Sequence, residues 1–175
     1  IYGEIWANNI KKVLKDNQLL ERPIHIISAN MHSVLNTIYA TSSLSSIAKD
    51  KEGFQLYELL SNNDSKPLQK KVKKYASENG LIYIKDTSGT NINVQVIDTE
   101  KIVSSKIQIK KRDLKDKDPV IIVMDYAFGE QAYETMDELL KPYKEKKSST
   151  HLNVESISIM GKAGILEGGK GDIMI

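Results

Sequence analysis

Cysteine is absent from the 175-residue chain. This absence excludes disulfide frameworks, thiolate nucleophiles and cysteine-based zinc sites, and it is consistent with a reducing compartment. The sequence also lacks the ligand spacing of a metal site, the Ser-His-Asp order of a serine hydrolase, a Walker loop and a dinucleotide-binding fingerprint. We therefore expect neither a metal nor a resident cofactor.

Long apolar runs are missing as well. The longest, Val120–Met124, is far shorter than the ~20 residues that a membrane helix needs. The first residues include Glu4, Asn8 and Asn9, where a secretory signal peptide would be apolar. We expect a soluble, cytoplasmic protein with no membrane partner.

Charge of one sign is not in excess. The 25 basic and 23 acidic side chains give a formal net charge of +2 and are interspersed along most of the chain. Two local basic runs, Lys106–Lys117 and Lys141–Lys147, contain or adjoin acidic residues and lack the interleaved aromatics of a base-stacking surface. Each run is interpreted as a solvated linker, with a phosphate-facing role as the alternative. Nucleic acid is not an expected partner.

Strand-like and helix-like segments alternate along the chain. This order predicts an α/β fold with a mostly parallel sheet and right-handed crossovers, and the length matches about one domain. We predict strands at 24–27, 81–84, 92–97, 120–124 and 154–160, and helices at the N-terminus and over 31–39, 54–60, 67–76 and 132–140. The chain starts without methionine and stops on the apolar stretch Asp172–Ile175. We therefore expect residues 1–175 to be a single domain truncated at its C-terminal side.

The N-terminal helix has an amphipathic pattern. Apolar side chains recur at helical spacing at Ile5, Trp6, Ile10, Val13 and Leu14. Lys11, Lys12 and Lys15 fall on the other face. The pattern predicts a helix that packs on the domain and keeps these three lysines in solvent.

Three turns that follow predicted strands are the candidate ligand sites. In open α/β sheets, ligands bind at the carboxyl ends of strands, where backbone N–H groups and helix N-termini point outward. The turns are 28–33, 125–131 and 161–164. Gly129, Gly161 and Gly164 allow sharp turns or close approach of a ligand. Lys162, between two glycines, is the permanent cation within these turns and could contact a phosphate or carboxylate.

Each of these residues also has a purely structural interpretation. Glycines after strands are commonly turn residues, and Lys162 could simply extend into solvent. His32, at a helix start, could act as a general acid or contact phosphate, or it could be a surface residue. Ser28 and Asn30 could bind a ligand or cap the next helix. Asp125 could hold a ribose hydroxyl or a catalytic proton, or it could form the turn.

Two stretches in the last third of the chain resemble the nucleoside phosphorylase and nucleosidase superfamily. Met160–Leu166, a short insertion and then Gly171–Ile175 are similar to the superfamily's strand, Gly-x-x-Gly turn and Gly-Asp-hydrophobic strand. Upstream, Phe128, Gly129 and the helix after them resemble the superfamily's glycine turn. Both stretches are most similar to bacterial AMP nucleosidases. The resemblance covers residues 120–175, and an uncharacterised branch of the superfamily is the alternative assignment.

The resemblance implies a three-layer α/β sandwich, an oligomeric assembly and cleavage of a ribosyl N-glycosidic bond of a nucleotide or nucleoside. It implies that Gly161, Lys162 and Ala163 line the phosphate or nucleophile side, with Gly164 completing the turn. Phe128 and Gly129 would face the ribosyl region. The expected ligand is a purine nucleotide or nucleoside, and phosphate would be a co-substrate if the reaction were a phosphorolysis.

One departure from the superfamily's pattern keeps a second hypothesis open. The superfamily's early Gly-Asp-Pro turn is replaced by Ser28-Ala29-Asn30, which puts phosphate binding at this turn in question. The residues that grip ribose and protonate the base would lie beyond Ile175. The first hypothesis is therefore an N-ribosyl hydrolase or transferase, and the second is a non-catalytic nucleotide-binding or regulatory module of the same fold. An unrelated α/β domain is the third.

Overall fold

A computed structural model describes residues 1–51, 53–102, 118–145 and 148–161. Within these ranges the helices are α1 (Tyr2–Asp16), α2 (Met31–Ser43), α3 (Phe54–Ser61), α4 (Lys66–Glu78) and α5 (Gly129–Leu140). The strands are β1 (Pro23–Ser28), β2 (Leu81–Ile84), β3 (Val94–Asp98), β4 (Val120–Met124), β5 (Tyr143–Glu145), β6 (Ser148–Thr150) and β7 (Asn153–Ile159). Each predicted helix and strand that falls in these ranges is present.

Five strands form one mixed sheet in the order β2-β3-β4-β1-β7. Strand β1 pairs in parallel with β4 on one side and with β7 on the other. Strand β3 runs antiparallel to both β2 and β4. The prediction of a mostly parallel sheet therefore holds for the β4-β1-β7 half, whereas the β2–β3 hairpin makes the other half antiparallel.

The sheet is covered by helices on both faces, which gives a three-layer arrangement. Helices α1 and α5 pack against one face, and the core there includes Trp6, Ile26, Ile122 and Leu139. Helices α2, α3 and α4 pack against the other face around a second core. This second core includes Leu35, Tyr39, Leu60, Val72, Ile97 and Val123. Adjacent strand residues point to opposite faces, so the apolar β4 run supplies both cores.

Lys11 does not lie in solvent, and this part of the helix prediction is wrong. Its side chain is buried between α1 and α5, and its Nζ donates a hydrogen bond to the carbonyl oxygen of Glu138 at 2.7 Å. Burial lowers the pKa of Lys11, and the Glu138 carboxylate only partly offsets this effect. Lys11 is buried because the last turn of α5 has carbonyl groups without partners inside the helix, and the lysine ammonium donates a hydrogen bond to one of them.

The basic run at Lys141–Lys147 is not a plain linker. Its described part contributes β5, which pairs antiparallel with β6 in a small separate hairpin. Lys15 of α1 forms an ion pair with Glu145, and Lys141 pairs with Asp137 and Glu138. The carboxylates beside Lys141 speak against a phosphate-facing role. The other basic run lies outside the described residues.

Arg22 forms hydrogen bonds that stabilise the sheet edge at the amino ends of β1 and β4. Its guanidinium donates to the Asp98 carboxylate at 2.7 Å and to the carbonyl oxygens of Asp118 and Pro119 at 2.7 and 3.3 Å. The Arg22 and Asp98 side chains are only 6% and 4% exposed. This buried pair joins the end of β3 to the chain entering β4, at the edge opposite the candidate site.

Candidate functional site

The carboxyl ends of β1, β4 and β7 meet at one edge of the sheet. The Ala29 N–H donates to the carbonyl oxygen of Met124 at 3.1 Å, and the Met160 N–H donates to the carbonyl oxygen of Ser28 at 2.9 Å. These bonds extend the parallel pairing past the last residue of each strand. The turns that begin at 28, 125 and 160 therefore start side by side.

A crevice between helices is expected at this edge from the topology. After β1 the chain turns to α2 on one face of the sheet, whereas after the neighbouring β4 it turns to α5 on the other face. A reversal of this kind between adjacent parallel strands opens a crevice outside their carboxyl ends, and open α/β sheets bind ligands there. The topology therefore points to the same edge as the sequence did.

Asn30 caps α2. Its side-chain oxygen accepts hydrogen bonds from the N–H groups of His32 and Ser33 at 2.9 and 3.2 Å. Those N–H groups are the donors that an anion at a helix N-terminus would use. Ser28 is buried in β1 rather than placed at the cap. The turn after β1 is thus arranged for helix capping and not for holding a phosphate.

The turn after β4 is more open. Gly129 has a positive φ of 56°, which glycine adopts without steric cost. Apart from its chain neighbours and the backbone of α5, no described atom lies within 4 Å of the position a Cβ would take. Phe128 is 76% exposed, and its ring lies beside the Tyr126 ring, with centroids 6.0 Å apart. In the part of the chain that the structure describes, no side chain caps α5. This turn offers backbone donors and an aromatic surface at the crevice.

Gly161 brings the turn after β7 to the same place. A Cβ at Gly161 would lie 3.8 Å from Cε1 of Tyr126, so the ends of β4 and β7 approach each other across β1. Lys162, Ala163 and Gly164 lie outside the described residues, as does the stretch Gly171–Ile175 that resembles a strand of the superfamily. The structure therefore brings together Ser28, Asn30, Phe128, Gly129 and Gly161 of the predicted site.

A cavity of about 450 Å³ adjoins this edge on the α2–α4 face of the sheet. Small-ligand sites typically enclose roughly 300–1,000 Å³. Met31, Leu35 and Leu81 give the cavity apolar walls, and Tyr83 contributes an aromatic ring. Its polar lining comes from His32, Lys73, Ser77, Asn93, Gln95 and Asp125. An apolar cavity with a few converging polar groups is the usual form of a small-molecule site.

His32 and Asp125 connect the predicted turns to this cavity. His32 lies in the first turn of α2, where its backbone N–H is held by Asn30. Asp125 directly follows β4; its Oδ1 accepts from the N–H of Tyr126 at 2.9 Å, and its own N–H donates to the carbonyl oxygen of Asn93 at 3.1 Å. The backbone of both residues is held by hydrogen bonds, and these bonds fix the positions from which the two side chains reach the cavity.

A second groove of about 260 Å³ lies beside the cavity, between α2 and the α3–α4 pair. It shares His32, Leu35 and Lys73 with the cavity. Because these three residues border both spaces, the groove and the cavity are adjacent along α2.

Gln95 is the most unusual residue of the cavity. It lies on β3 between Tyr83 of β2 and Val123 of β4, and it is only 5% exposed. Its Oε1 is buried and has no hydrogen-bond partner among the described residues. An unsatisfied buried acceptor costs about 1–3 kcal/mol of stability. A buried side-chain oxygen without a partner is uncommon in folded proteins, so the presence of glutamine at position 95 needs an explanation.

Sequence reasoning missed the cavity residues that come from α4 and from the β2–β3 hairpin. Lys73, Ser77 and Tyr83 carry no motif, and only the three-dimensional packing of α4 on the sheet brings them near Asp125. One signal was present in the alternation Asn93-Val94-Gln95-Val96. A half-buried strand with this alternation normally turns its polar residues to solvent, whereas Gln95 faces the cavity.

The loop between β2 and β3 is organised around Asp86. Its carboxylate accepts hydrogen bonds from the N–H groups of Ser88, Gly89 and Asn91 and from the Ser88 hydroxyl. The Asp86 N–H donates to Oδ1 of Asn93 at 3.0 Å. Burial by itself raises the pKa of Asp86, but these hydrogen bonds outweigh burial and hold the pKa below its ordinary value. The loop thereby fixes Asn93 at the cavity.

We expect Asp86→Ala to lower the free energy of unfolding by about 1 kcal/mol at pH 7. Because the pKa of Asp86 is lower in the folded state, its contribution is present in full above the ordinary aspartate pKa of about 4. The contribution is lost as the pH falls through the folded-state pKa. Urea denaturation of wild type and variant at pH 7 and at successively lower pH measures this. A difference between the two proteins that stays constant on acidification would contradict the explanation.

Neither a membrane-spanning helix nor a metal cluster occurs in the described ranges. No helix there combines the length and the apolar content needed to cross a bilayer. No group of three or more histidine, aspartate or glutamate side chains among the same residues could hold a metal ion.

Comparison with known proteins gives one family. The model of a family of unknown function, DUF6909, matches residues 48–175, which is well over half of the chain. No curated protein and no solved structure matches the chain. The matched segment runs from the region before α3 to the end of the chain and includes α4, the β2–β3 hairpin and the turn after β4. The protein therefore belongs to the DUF6909 family.

Proposed function

We propose that the protein binds a purine nucleotide or nucleoside in the crevice and the adjoining cavity, and that it cleaves the ribosyl N-glycosidic bond. One observation carries the proposal: an apolar cavity with converging polar groups adjoins the carboxyl ends of β4 and β1. A planar base suits the apolar walls, and a sugar and phosphate suit the polar edge. The resemblance of residues 120–175 to nucleoside phosphorylases and nucleosidases supports the same ligand class.

The chemistry requires charge stabilisation at the sugar. Cleavage of the bond passes through a cation-like ribose, so the site must hold a nucleophile, stabilise positive charge and protonate the leaving base. In this proposal the Asp125 carboxylate lies at the ribosyl group, beside the turn of Phe128 and Gly129. Gly161 and Lys162 would be on the side of the nucleophile, which is water in a hydrolase and phosphate in a phosphorylase. A homo-oligomer is part of the same proposal.

A non-catalytic nucleotide-binding module is the second candidate. The observation that favours it is the cap on α2: the Asn30 side chain occupies the N–H groups of His32 and Ser33. A phosphate held by the turn after β1 would need those donors. A module that retains the cavity but has lost this phosphate site would bind a nucleotide without turning it over.

Incubation of the protein with AMP, adenosine, inosine and uridine tests the proposal. Each compound is supplied with and without phosphate, and free base is followed by chromatography. Release of adenine from AMP without phosphate would establish a nucleotide hydrolase, and release only with phosphate would establish a phosphorylase. If no base is released but a nucleotide raises the melting temperature, the binding module is supported. If no base is released and no nucleotide raises the melting temperature, both candidates are contradicted.

Lys73 provides a test of where the phosphate lies. It is the only basic residue other than His32 in the described lining of the cavity, so we expect Lys73→Met to weaken AMP binding by about tenfold or more, as for loss of a charged hydrogen bond. Adenosine, which has no phosphate, should lose much less. Isothermal titration calorimetry measures both affinities. Lys70→Met on the exposed side of α4 is the matched control, and equal losses in the two variants would exclude a specific role for Lys73.

A further inference from the structure

Helix α4 concentrates positive charge in a chain whose overall charge is nearly balanced. It contains five lysines and a single carboxylate, that of Glu78 at its C-terminal end, whereas the whole chain has a net charge of +2. All five lysines are exposed: Lys66, Lys70, Lys71, Lys73 and Lys74. Within the described ranges only Lys74 forms an ion pair, with Glu78 at 3.9 Å. The other four ammonium groups are therefore available to an anionic partner.

Three of these lysines form a row along one side of α4. Lys66, Lys70 and Lys73 are four and three residues apart, which places them one above the other on a single face of the helix. Val72 and Ala76 are fully buried and mark the face that packs on the second core. Lys73 borders the second groove, which lies between α2 and the α3–α4 pair. This lysine row therefore follows the side of α4 that meets the groove.

Two exposed aromatic rings lie beside the same groove. Phe54 is 76% and Tyr57 48% exposed, and their rings are stacked, with centroids 6.5 Å apart and planes at 30°. Tyr57 lines the second groove together with Lys73. The core face of α3 is formed instead by Leu56 and Leu60, which are buried. This aromatic pair is thus not needed for the core, and its outer faces can stack on a planar group.

A third groove extends the second one along α2. It has a volume of about 350 Å³, lies between α2 and α3, and is lined by both rings of the aromatic pair. Asn36 and Tyr57 line the second and the third groove, so the two form one path. The amide of Asn36 can donate and accept hydrogen bonds in the middle of this path. Cations, a polar amide and stacked rings therefore border one continuous depression.

This combination favours a single strand of nucleic acid over other anionic partners. Proteins that bind single strands place aromatic rings for base stacking beside a positively charged groove that follows the phosphates. A duplex keeps its base faces stacked within itself and would leave the aromatic pair unused. An acidic peptide would use the lysines but has no series of planar groups. An anionic membrane suits an apolar face that inserts between lipids, whereas this surface is a groove with polar walls at Asn36 and Ser33.

We propose that the aromatic pair, Asn36 and the lysine row form a binding surface for single-stranded nucleic acid. The bases stack on the two rings, and the phosphates lie along the row on α4. The balanced charge of the sequence gave no support for such a partner, because the lysines of α4 meet the rings of α3 only in the folded chain. The proposal goes beyond the proposed function and involves no bond cleavage.

Fluorescence anisotropy with labelled oligo(dT) tests the lysine row. An oligonucleotide of about twelve nucleotides covers the usual site sizes, and thymine is not a purine. The logarithm of the binding constant should fall with the logarithm of salt concentration with a slope of about −2, as for three phosphate contacts on a single strand. Lys70→Met should make this slope shallower by about 0.7. Lys12→Met, at an exposed position of α1, is the matched control and should leave the slope unchanged.

Phe54→Ala tests the aromatic pair with the same probe. Loss of one stacking ring should weaken binding by about tenfold at any salt concentration and leave the salt slope as it is. The matched control is Tyr133→Ala on α5, because Tyr133 is also 76% exposed. This control should bind oligo(dT) like wild type. Since both rings extend into solvent, neither variant should change the melting temperature much.

The outcomes separate this proposal from the proposed function. Absence of oligo(dT) binding at about 50 mM salt overturns it, and so does equal weakening by the test variants and their controls. Binding to phosphatidylserine vesicles without binding to oligo(dT) overturns it in favour of a membrane surface. Base release from AMP decides the proposed function independently, because Lys70 and Phe54 lie outside the lining of the cavity.

Discussion

Asp98→Ala should lower the free energy of unfolding by about 3–5 kcal/mol, as expected for removing one partner of a buried ion pair. The Arg22 guanidinium would then remain buried with two carbonyl oxygens and without the carboxylate that it contacts at 2.7 Å. Asp98 also accepts from the N–H of Glu100 and pairs with Lys101 at 3.3 Å. Its loss therefore removes the close acceptor of the buried Arg22 guanidinium and of the Glu100 N–H at one end of the sheet.

The same arginine supplies the control. Glu100 lies 3.4 Å from Arg22, but its side chain is 71% exposed. An exposed ion pair contributes about 0–1 kcal/mol, so Glu100→Ala should have little effect. Urea denaturation measures both variants, and for a chain of this size each kcal/mol corresponds to roughly 2–4 °C in melting temperature. Similar losses in the two variants would show that burial does not determine the strength of the Arg22 contacts.

Asp125→Asn should reduce the rate of base release by about 10²-fold or more, the size of effect seen when a charge-stabilising group is removed from an active site. In the proposed function its carboxylate faces the positive charge that develops on ribose, and a neutral amide cannot stabilise that charge. Asparagine retains the side-chain oxygen that accepts from the Tyr126 N–H. The turn after β4 should therefore keep its conformation, and the melting temperature should stay close to that of wild type.

Steady-state kinetics with AMP separates chemistry from binding in this variant. The expected result is a lower kcat with a smaller change in KM, because the lost interaction is strongest in the transition state. Asp137→Asn, on the surface of α5 where the carboxylate pairs with Lys141, is the matched control and should retain full activity. An Asp125→Asn enzyme that keeps the wild-type kcat would remove Asp125 from the reaction.

The sequence predicted most of the fold because its strongest patterns coincide with buried elements. The five-residue apolar run at Val120–Met124 is the centre of the sheet, with partners on both sides. The helical spacing of Trp6, Ile10 and Leu14 marks the face of α1 that packs on the core. Patterns of this kind arise from burial itself, so they can be read without knowing the partner element.

The exceptions depend on contacts between distant parts of the chain. Lys11 is buried because the end of α5, more than a hundred residues later, offers it a carbonyl oxygen. Strands β5 and β6 are three residues each, too short to leave a readable alternation. Strand β3 pairs antiparallel with β4 as well as with β2. The direction of the pairing with β4 depends on how the whole hairpin packs beside the sheet, which no local pattern records.

The candidate site was predictable only in part for the same reason. Strand ends can be located in a sequence, and the turns at Asn30, Asp125 and Gly161 do begin side by side. The cavity wall, in contrast, is formed where α4 packs over the β2–β3 hairpin. In the sequence Gln95 resembles a solvent-facing strand residue, and only the packing around it shows that it is buried at the cavity. The sequence shows which residue types are present, but tertiary packing determines which of them lie together in the cavity.

A crystal structure of the protein with AMP would locate the ligand directly. We expect the adenine ring to lie in the cavity between α2, α4 and β3, with the ribose beside Asp125 at the carboxyl ends of the strands. AMP bound at another surface, or an empty cavity at saturating AMP, would contradict the proposed function.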